Sequence, residues 1–169
     1  MTSVTCREFL ALLAFGDEVE RVSIEVESRA GTVGQARHFV LQQLQPWGLA
    51  EDEDLGDRIL LVVSELVTNA VLHGRTRPQE EAETLGLTLA WRRDCALGVM
   101  VKDNSSRIPT VRVRPSPSAD GGRGLLLVTA LSDGWTAAPR DGGNGGKALW
   151  AFFDCARPAR LPELLTRSA

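Results

Sequence analysis

The chain has 169 residues, 43% hydrophobic and 24% charged, with 19 basic against 22 acidic side chains and a formal net charge of −3. This is the length of one domain, sufficient to bury a core without disulfides or a structural metal. Its mild acidity argues against direct nucleic-acid binding, which calls for a basic face or stripe. Residues 3–15 predict a short amphipathic helix, because Val4, Phe9, Leu12 and Leu13 cluster at helical spacing. Val22, Ile24 and Val26 then alternate with Ser23, Glu25 and Glu27, the pattern of a half-buried strand. Thr32 is placed to cap a helix running to about Leu44 and ended by Pro46 and Gly48. The acidic stretch Glu51–Asp57 leads into the strongest helical pattern, where Ile59, Val62, Val63, Leu66, Val67, Ala70 and Val71 share one face and Gly74 stops the helix.

After a polar loop at 75–83, Thr84–Arg92 and Ala96–Lys102 read as a strand pair turned at Arg93–Asp94. Residues 103–121 change character: they are polar, contain Pro109, Pro115 and Pro117, and hold no periodicity. Long loops of this kind in a compact domain are usually lids or binding loops. The loop ends in Gly121-Gly122-Arg123-Gly124, and an apolar helical run, Leu125–Leu131, follows. Gly134–Ala138 and Ala148–Asp154 form a second strand pair around the glycine-rich turn 142–146, and 158–169 hold one short helix or none. The order predicts an α/β two-layer sandwich, with a mixed, largely antiparallel sheet and helices on one face.

Cys6, Cys95 and Cys155 match no CxxC or Cys/His spacing and read as reduced thiols. No stretch approaches the roughly 20 apolar residues of a membrane span. Arg7 and Glu8 interrupt the first apolar stretch, unlike a signal peptide. A cytoplasmic protein is the expectation.

Two phosphate-binding motifs fail on inspection. A P-loop needs GxxxxGK followed by a hydroxyl residue and a helix. Around Gly146-Lys147 the first glycine position is Asp141, the hydroxyl position is Ala148, and a strand-like run follows. A dinucleotide fingerprint needs a third glycine that Gly122-Arg123-Gly124 lacks. What remains is a helix N-terminus at Gly124, where backbone N–H groups and the helix dipole favour an anion. Four-residue spacing puts Glu65 and Asn69 on one helical face, and His73 continues that line. Such oxygen donors suit a general base and a hard cation such as Mg²⁺. Asp103 closes an apolar strand, where a carboxylate can accept from an exocyclic amine such as that of adenine.

In this order, Glu65-Leu-Val-Thr-Asn69-Ala-Val-Leu-His73-Gly74, Val-Lys-Asp103-Asn-Ser105 with Pro109, and Gly122-Arg-Gly124-Leu-Leu-Leu-Val128 resemble the GHKL ATPase superfamily, with its Bergerat ATP-binding fold. Together with Gly146-Lys147-Ala-Leu-Trp150, they are most similar to the anti-sigma factor serine/threonine kinases and their actinobacterial relatives. The resemblance covers roughly residues 20–154, leaving an N-terminal extension (1–19) and a tail (155–169).

The resemblance implies ATP and Mg²⁺ as cofactors. It makes Glu65 the general base, Asn69 the Mg²⁺ ligand, and Asp103 the acceptor of the adenine amine. Gly122 and Gly124 would contact phosphates, with Arg123 between them offering cationic stabilisation. Residues 104–121 would form an ATP lid, with His73 near the nucleotide. Ser105, Pro109 and Leu125, in the same motifs, join the nucleotide-binding set. A sigma factor and an anti-sigma factor antagonist are the implied partners, and some relatives form homodimers. Two positions depart from the pattern: the late threonine that helps hold adenine through a water matches Ala148, and Asp120-Gly121 stand where sporulation kinases carry a basic residue. A nucleotide-binding interaction module without phosphoryl transfer and a lone ATPase are the alternatives.

Overall fold

The computed structural model describes residues 5–110, 123–140 and 145–156. Alternation of apolar and polar side chains builds strand β1, Val19–Glu27, which begins earlier than the sequence pattern marks. Its partner β2, Thr84–Arg92, turns at Asp94 into β3, Ala96–Asp103. With β4, Gly134–Pro139, and β5, Lys147–Asp154, these form a five-stranded sheet in the order β1-β2-β3-β5-β4, every pairing antiparallel. β3 lies at the centre and buries Ala96 through Val101 almost without a break, which is why it reads as a continuous apolar run.

One face of the sheet carries three helices: α2, Thr32–Leu44; α3, Glu53–His73; and α4, Arg123–Leu131. The α2 stripe of Ala36, Val40 and Leu44 and the α3 stripe of Ile59, Val62, Val63, Leu66, Val67 and Ala70 pack on Leu87, Leu89, Leu97, Val99 and Val101. Asp52 caps α3 by accepting from the Leu55 N–H at 3.0 Å, and Gly74 ends the helix. Thr32 does not cap α2: Gly31 holds the N-cap position, and the Thr32 hydroxyl donates to the Glu27 carbonyl instead. That bond ties the helix start to the end of β1, a long-range use that local pattern does not reveal. α4 runs antiparallel to α3, with Arg58 Nε donating to the Leu131 carbonyl at 2.9 Å and Gly124 lying beside Glu65.

A further helix, α1 (Cys6–Phe15), begins in a Thr5–Glu8 capping box and packs on the opposite face of the sheet. Phe9 and Leu13 join Ala90, Ala96 and Phe152 there, with the Phe9 and Phe152 rings stacked at 5.4 Å. Arg21 donates to the Leu13 and Ala14 carbonyls, satisfying the exposed end of α1. The three cysteines are free thiols. Burial pushes the Cys155 thiol up to about 12, with the Asp154 and Asp133 charges adding to the effect, so it is an inert core group.

Candidate functional site

The central strand delivers the first component. β3 ends at Asp103 and β5 begins at Lys147, and the antiparallel register sets the two directly opposite each other. Gly146, at φ 94°, makes the approach possible: a Cβ there would stand 2.5 Å from the Asp103 carbonyl oxygen. Lys147 Nζ donates to Asp103 Oδ1 at 2.9 Å and lies 2.8 Å from Oδ2. The Ser105 N–H donates to Oδ1 at 3.0 Å, closing an Asx turn after β3. Asp103 packs against the end of α3, and the Asn104 N–H donates to the Gly74 carbonyl at 3.2 Å. Burial pushes the Asp103 carboxyl above its ordinary range, and the opposing influences of Lys147, the Ser105 N–H and Arg140 do not cancel it.

The second component is the polar strip of α3. Asn69 and His73 look onto a cavity of about 280 Å³, close to the lower end of small-molecule pockets, about 300–1,000 Å³. Its sheet side is made by Val101, Asp103, Lys147 and Leu149; Leu66 and Ala70 of α3 and Leu125 of α4 supply apolar walls. Arg107, Ile108, Pro109 and Thr110, which follow β3, border the same space. A cavity with apolar sides and a carboxylate–ammonium pair on one wall suits a flat heterocycle carrying polar edges. Glu65 stands one turn before Asn69, against the first turn of α4. A Cβ on Gly124 would lie 2.7 Å from Glu65 Oε2 and 3.6 Å from both terminal atoms of Asn69. The contact with Asn69 is an ordinary van der Waals distance, whereas a side chain at 124 would require the Glu65 carboxylate to shift.

The structure thus brings Asn69, His73, Asp103, Pro109 and Leu125 around one cavity, with Glu65 and Gly124 adjoining at Asn69. Ser105 acts on Asp103 through its backbone N–H. The Arg123 side chain is exposed at the start of α4. Gly122, Asp120 and Gly121 lie outside the described residues, as do residues 111–121 of the expected lid and tail residues 157–169. Ala148 pairs with Lys102, whereas the neighbouring Lys147 and Leu149 line the cavity. The residue opposite Asp103 is therefore Lys147, which sequence reading noted in a P-loop look-alike and in a family-like Gly-Lys-Ala-Leu-Trp run but gave no site role. A second omission is Glu83, a buried carboxylate at the end of the 75–83 loop. It accepts from the N–H groups of Thr76 and Arg77, the Thr76 hydroxyl and the Asn104 amide. Burial opposes ionisation of Glu83, but these donors outweigh it and hold the carboxyl below its ordinary range. Arg140 donates to Asn104 Oδ1 at 3.3 Å, so this network braces the residue next to Asp103.

Among the described residues, no group of three or more His, Cys, Asp or Glu is arranged to hold a metal, and no helix is long and apolar enough to cross a membrane. The family profile described as a histidine kinase-like ATPase domain matches residues 26–152. The chain belongs to the histidine kinase-like ATPase family. Its match runs from the end of β1 to the middle of β5 and so contains every component of the cavity. The fold of this family member is also similar to that of a chain in the crystal structure of the SiaB–SiaC complex from Pseudomonas aeruginosa, at a TM-score of 0.54 and 16% identity. That likeness covers 87% of this chain and 99% of the other. No curated protein sequence gives a significant match.

Proposed function

We propose that this histidine kinase-like ATPase domain binds Mg²⁺–ATP and serves as an anti-sigma factor, transferring the terminal phosphoryl group to a serine or threonine of an antagonist protein. The observation carrying this reading is the meeting of Gly124, Glu65 and Asn69 beside a cavity that Asn69 and Asp103 both line. Adenine would enter beside Asp103, with Leu66, Ala70, Val101 and Leu125 excluding water from its faces. The triphosphate would then run toward the α4 N-terminus, where unsatisfied N–H groups and the helix dipole favour negative charge.

Glu65 and Asn69 fit a hard cation: both offer oxygen donors, and Mg²⁺ commonly takes one or two protein oxygens with waters and phosphates completing its shell. When bound, Mg²⁺ neutralises charge on the transferred group. Asn69 would hold the metal, and Glu65 would accept the proton of the incoming hydroxyl. Arg123, exposed at the start of α4, would add positive charge near the phosphates. Support for a protein acceptor comes from the motifs of the anti-sigma kinases and from the structural neighbour, which is one chain of a two-protein complex.

The test is calorimetric titration with ATP, with and without Mg²⁺, followed by γ-labelled ATP and the protein captured from a native cell extract. Mg²⁺-dependent binding with label on a serine or threonine of the captured protein is expected. ATP binding without transfer would identify a regulatory module, phosphate release without an acceptor would identify a lone ATPase, and absent ATP binding would overturn the reading.

Gly124→Ala probes the junction directly. The Glu65 carboxylate, at the end of a flexible side chain, has to move away from the new methyl group. Thermal melting is expected to change little, while turnover falls roughly a hundredfold, the scale of a misplacement of about 1 Å.

A further inference from the structure

Both Asp103 and Lys147 are buried, at 4% and 5% exposure, yet both line the cavity. Their hydrogen-bonding capacity is not exhausted by each other. An ionised carboxylate offers about four lone-pair sites. Among the described residues, Oδ1 accepts from Lys147 and the Ser105 N–H, and Oδ2 has only the Lys147 ammonium at 2.8 Å, leaving at least one acceptor site on Oδ2. An ammonium carries three N–H donors. The contacts of Nζ among the described residues go to the two oxygens of Asp103, leaving one donor. A buried ion pair with an unfilled acceptor beside an unfilled donor is costly unless a ligand supplies the complement.

We propose that Lys147 reads the ring nitrogen N1 of adenine directly, while Asp103 accepts from the neighbouring exocyclic amine. Adenine presents those two groups, one donor and one acceptor, side by side on the same edge, matching the free acceptor and donor of the pair. This assignment rests on the nucleotide-binding reading above and names a determinant of its base specificity. Ala148, paired with Lys102 and absent from the cavity lining, contributes nothing to this edge.

The test compares ATP with 1-deaza-ATP, which keeps the exocyclic amine but has carbon in place of N1, and uses 7-deaza-ATP as the control, all on the unmodified full chain. 1-deaza-ATP is expected to bind about 10- to 100-fold more weakly than ATP, the range for a hydrogen bond to a charged group, while 7-deaza-ATP binds like ATP. In Lys147→Met, ATP affinity is expected to fall while the gap between ATP and 1-deaza-ATP closes, which a purely structural ion pair would not produce. If that variant fails to fold, the comparison on the unmodified chain decides alone. Equal affinity of the unmodified chain for ATP and 1-deaza-ATP overturns the assignment of Lys147 and leaves the nucleotide site standing. Failure of ATP itself to bind overturns both.

Discussion

Asp103→Asn is expected to weaken ATP binding by at least about a hundredfold, the equivalent of roughly 3 kcal/mol. The asparagine keeps the size of the side chain but has a single acceptor atom. Its oxygen can face the Lys147 ammonium or the adenine amine, while its NH₂ group meets the other as donor against donor. Lys147, 5% exposed and paired with Asp103 at 2.8–2.9 Å, then loses its counter-charge. Removing one partner of a buried pair costs on the order of 3–5 kcal/mol in folding, so the melting temperature is expected to drop as well. Calorimetry at a temperature well below the melt separates the two effects. An unchanged affinity there would remove Asp103 from the base-binding role.

The same residue gives a pH signature with a definite sign. Burial raises the Asp103 pKa above its ordinary 3.8. For a carboxyl raised on folding, the stabilising contribution is present below the ordinary value and is lost as pH rises through the folded one. Nucleotide affinity runs the opposite way, because a protonated Asp103 offers fewer acceptor sites to the amine, so it falls as pH drops through that raised value. Glu83, lowered by its ring of donors, contributes stability above the ordinary Glu range that is lost only as pH falls through its depressed pKa. On acidification, base recognition is therefore expected to fail before the Glu83 network opens. Parallel titrations of ATP affinity and melting temperature check the order.

How much of this was legible in the sequence depends on the range of the interaction. The α3 stripe from Ile59 to Val71 and the β2–β3 hairpin follow from local periodicity, and both stand where that periodicity puts them. Glu65, Asn69 and His73 share a face for the same reason, since a four-residue spacing is a property of the helix alone. Lys147 is different. It lies 44 positions from Asp103, and only the β3–β5 register brings them together. A slip of one residue exchanges the faces of a strand, so Lys147 and Leu149 line the cavity while Ala148 between them does not. Glu83 likewise reads as one more charge in a polar loop, because the N–H groups that bury it become available only when the loop folds around Arg75, whose guanidinium donates to the carbonyls of Ser28, Pro78 and Glu81. The amphipathic character of α1 is local, but which face of the sheet receives it depends on Ala90, Ala96 and Phe152 from three strands.

Glu65→Ala is expected to leave ATP binding within a few-fold of the original while turnover falls by about 10²–10⁴, the usual contribution of a positioned general base. The separation follows from where Glu65 sits. Asp103, Lys147, Leu149, Leu66 and Ala70 form the cavity wall, and Glu65 is not part of it, standing one helical turn from Asn69 against Gly124. Losing its carboxylate removes no contact with the base. It leaves the α4 N-terminus facing a gap and, on the proposed mechanism, would deprive the incoming hydroxyl of its proton acceptor. Asn69→Ala serves as the contrasting variant, because loss of the proposed metal ligand is expected to reduce the Mg²⁺ dependence of binding as well as turnover. Isotherms with and without Mg²⁺, set beside phosphate release, give each variant its own pattern. If Glu65→Ala lost ATP binding and turnover together, its carboxylate would be bracing the α3–α4 junction, and the base would have to be sought elsewhere.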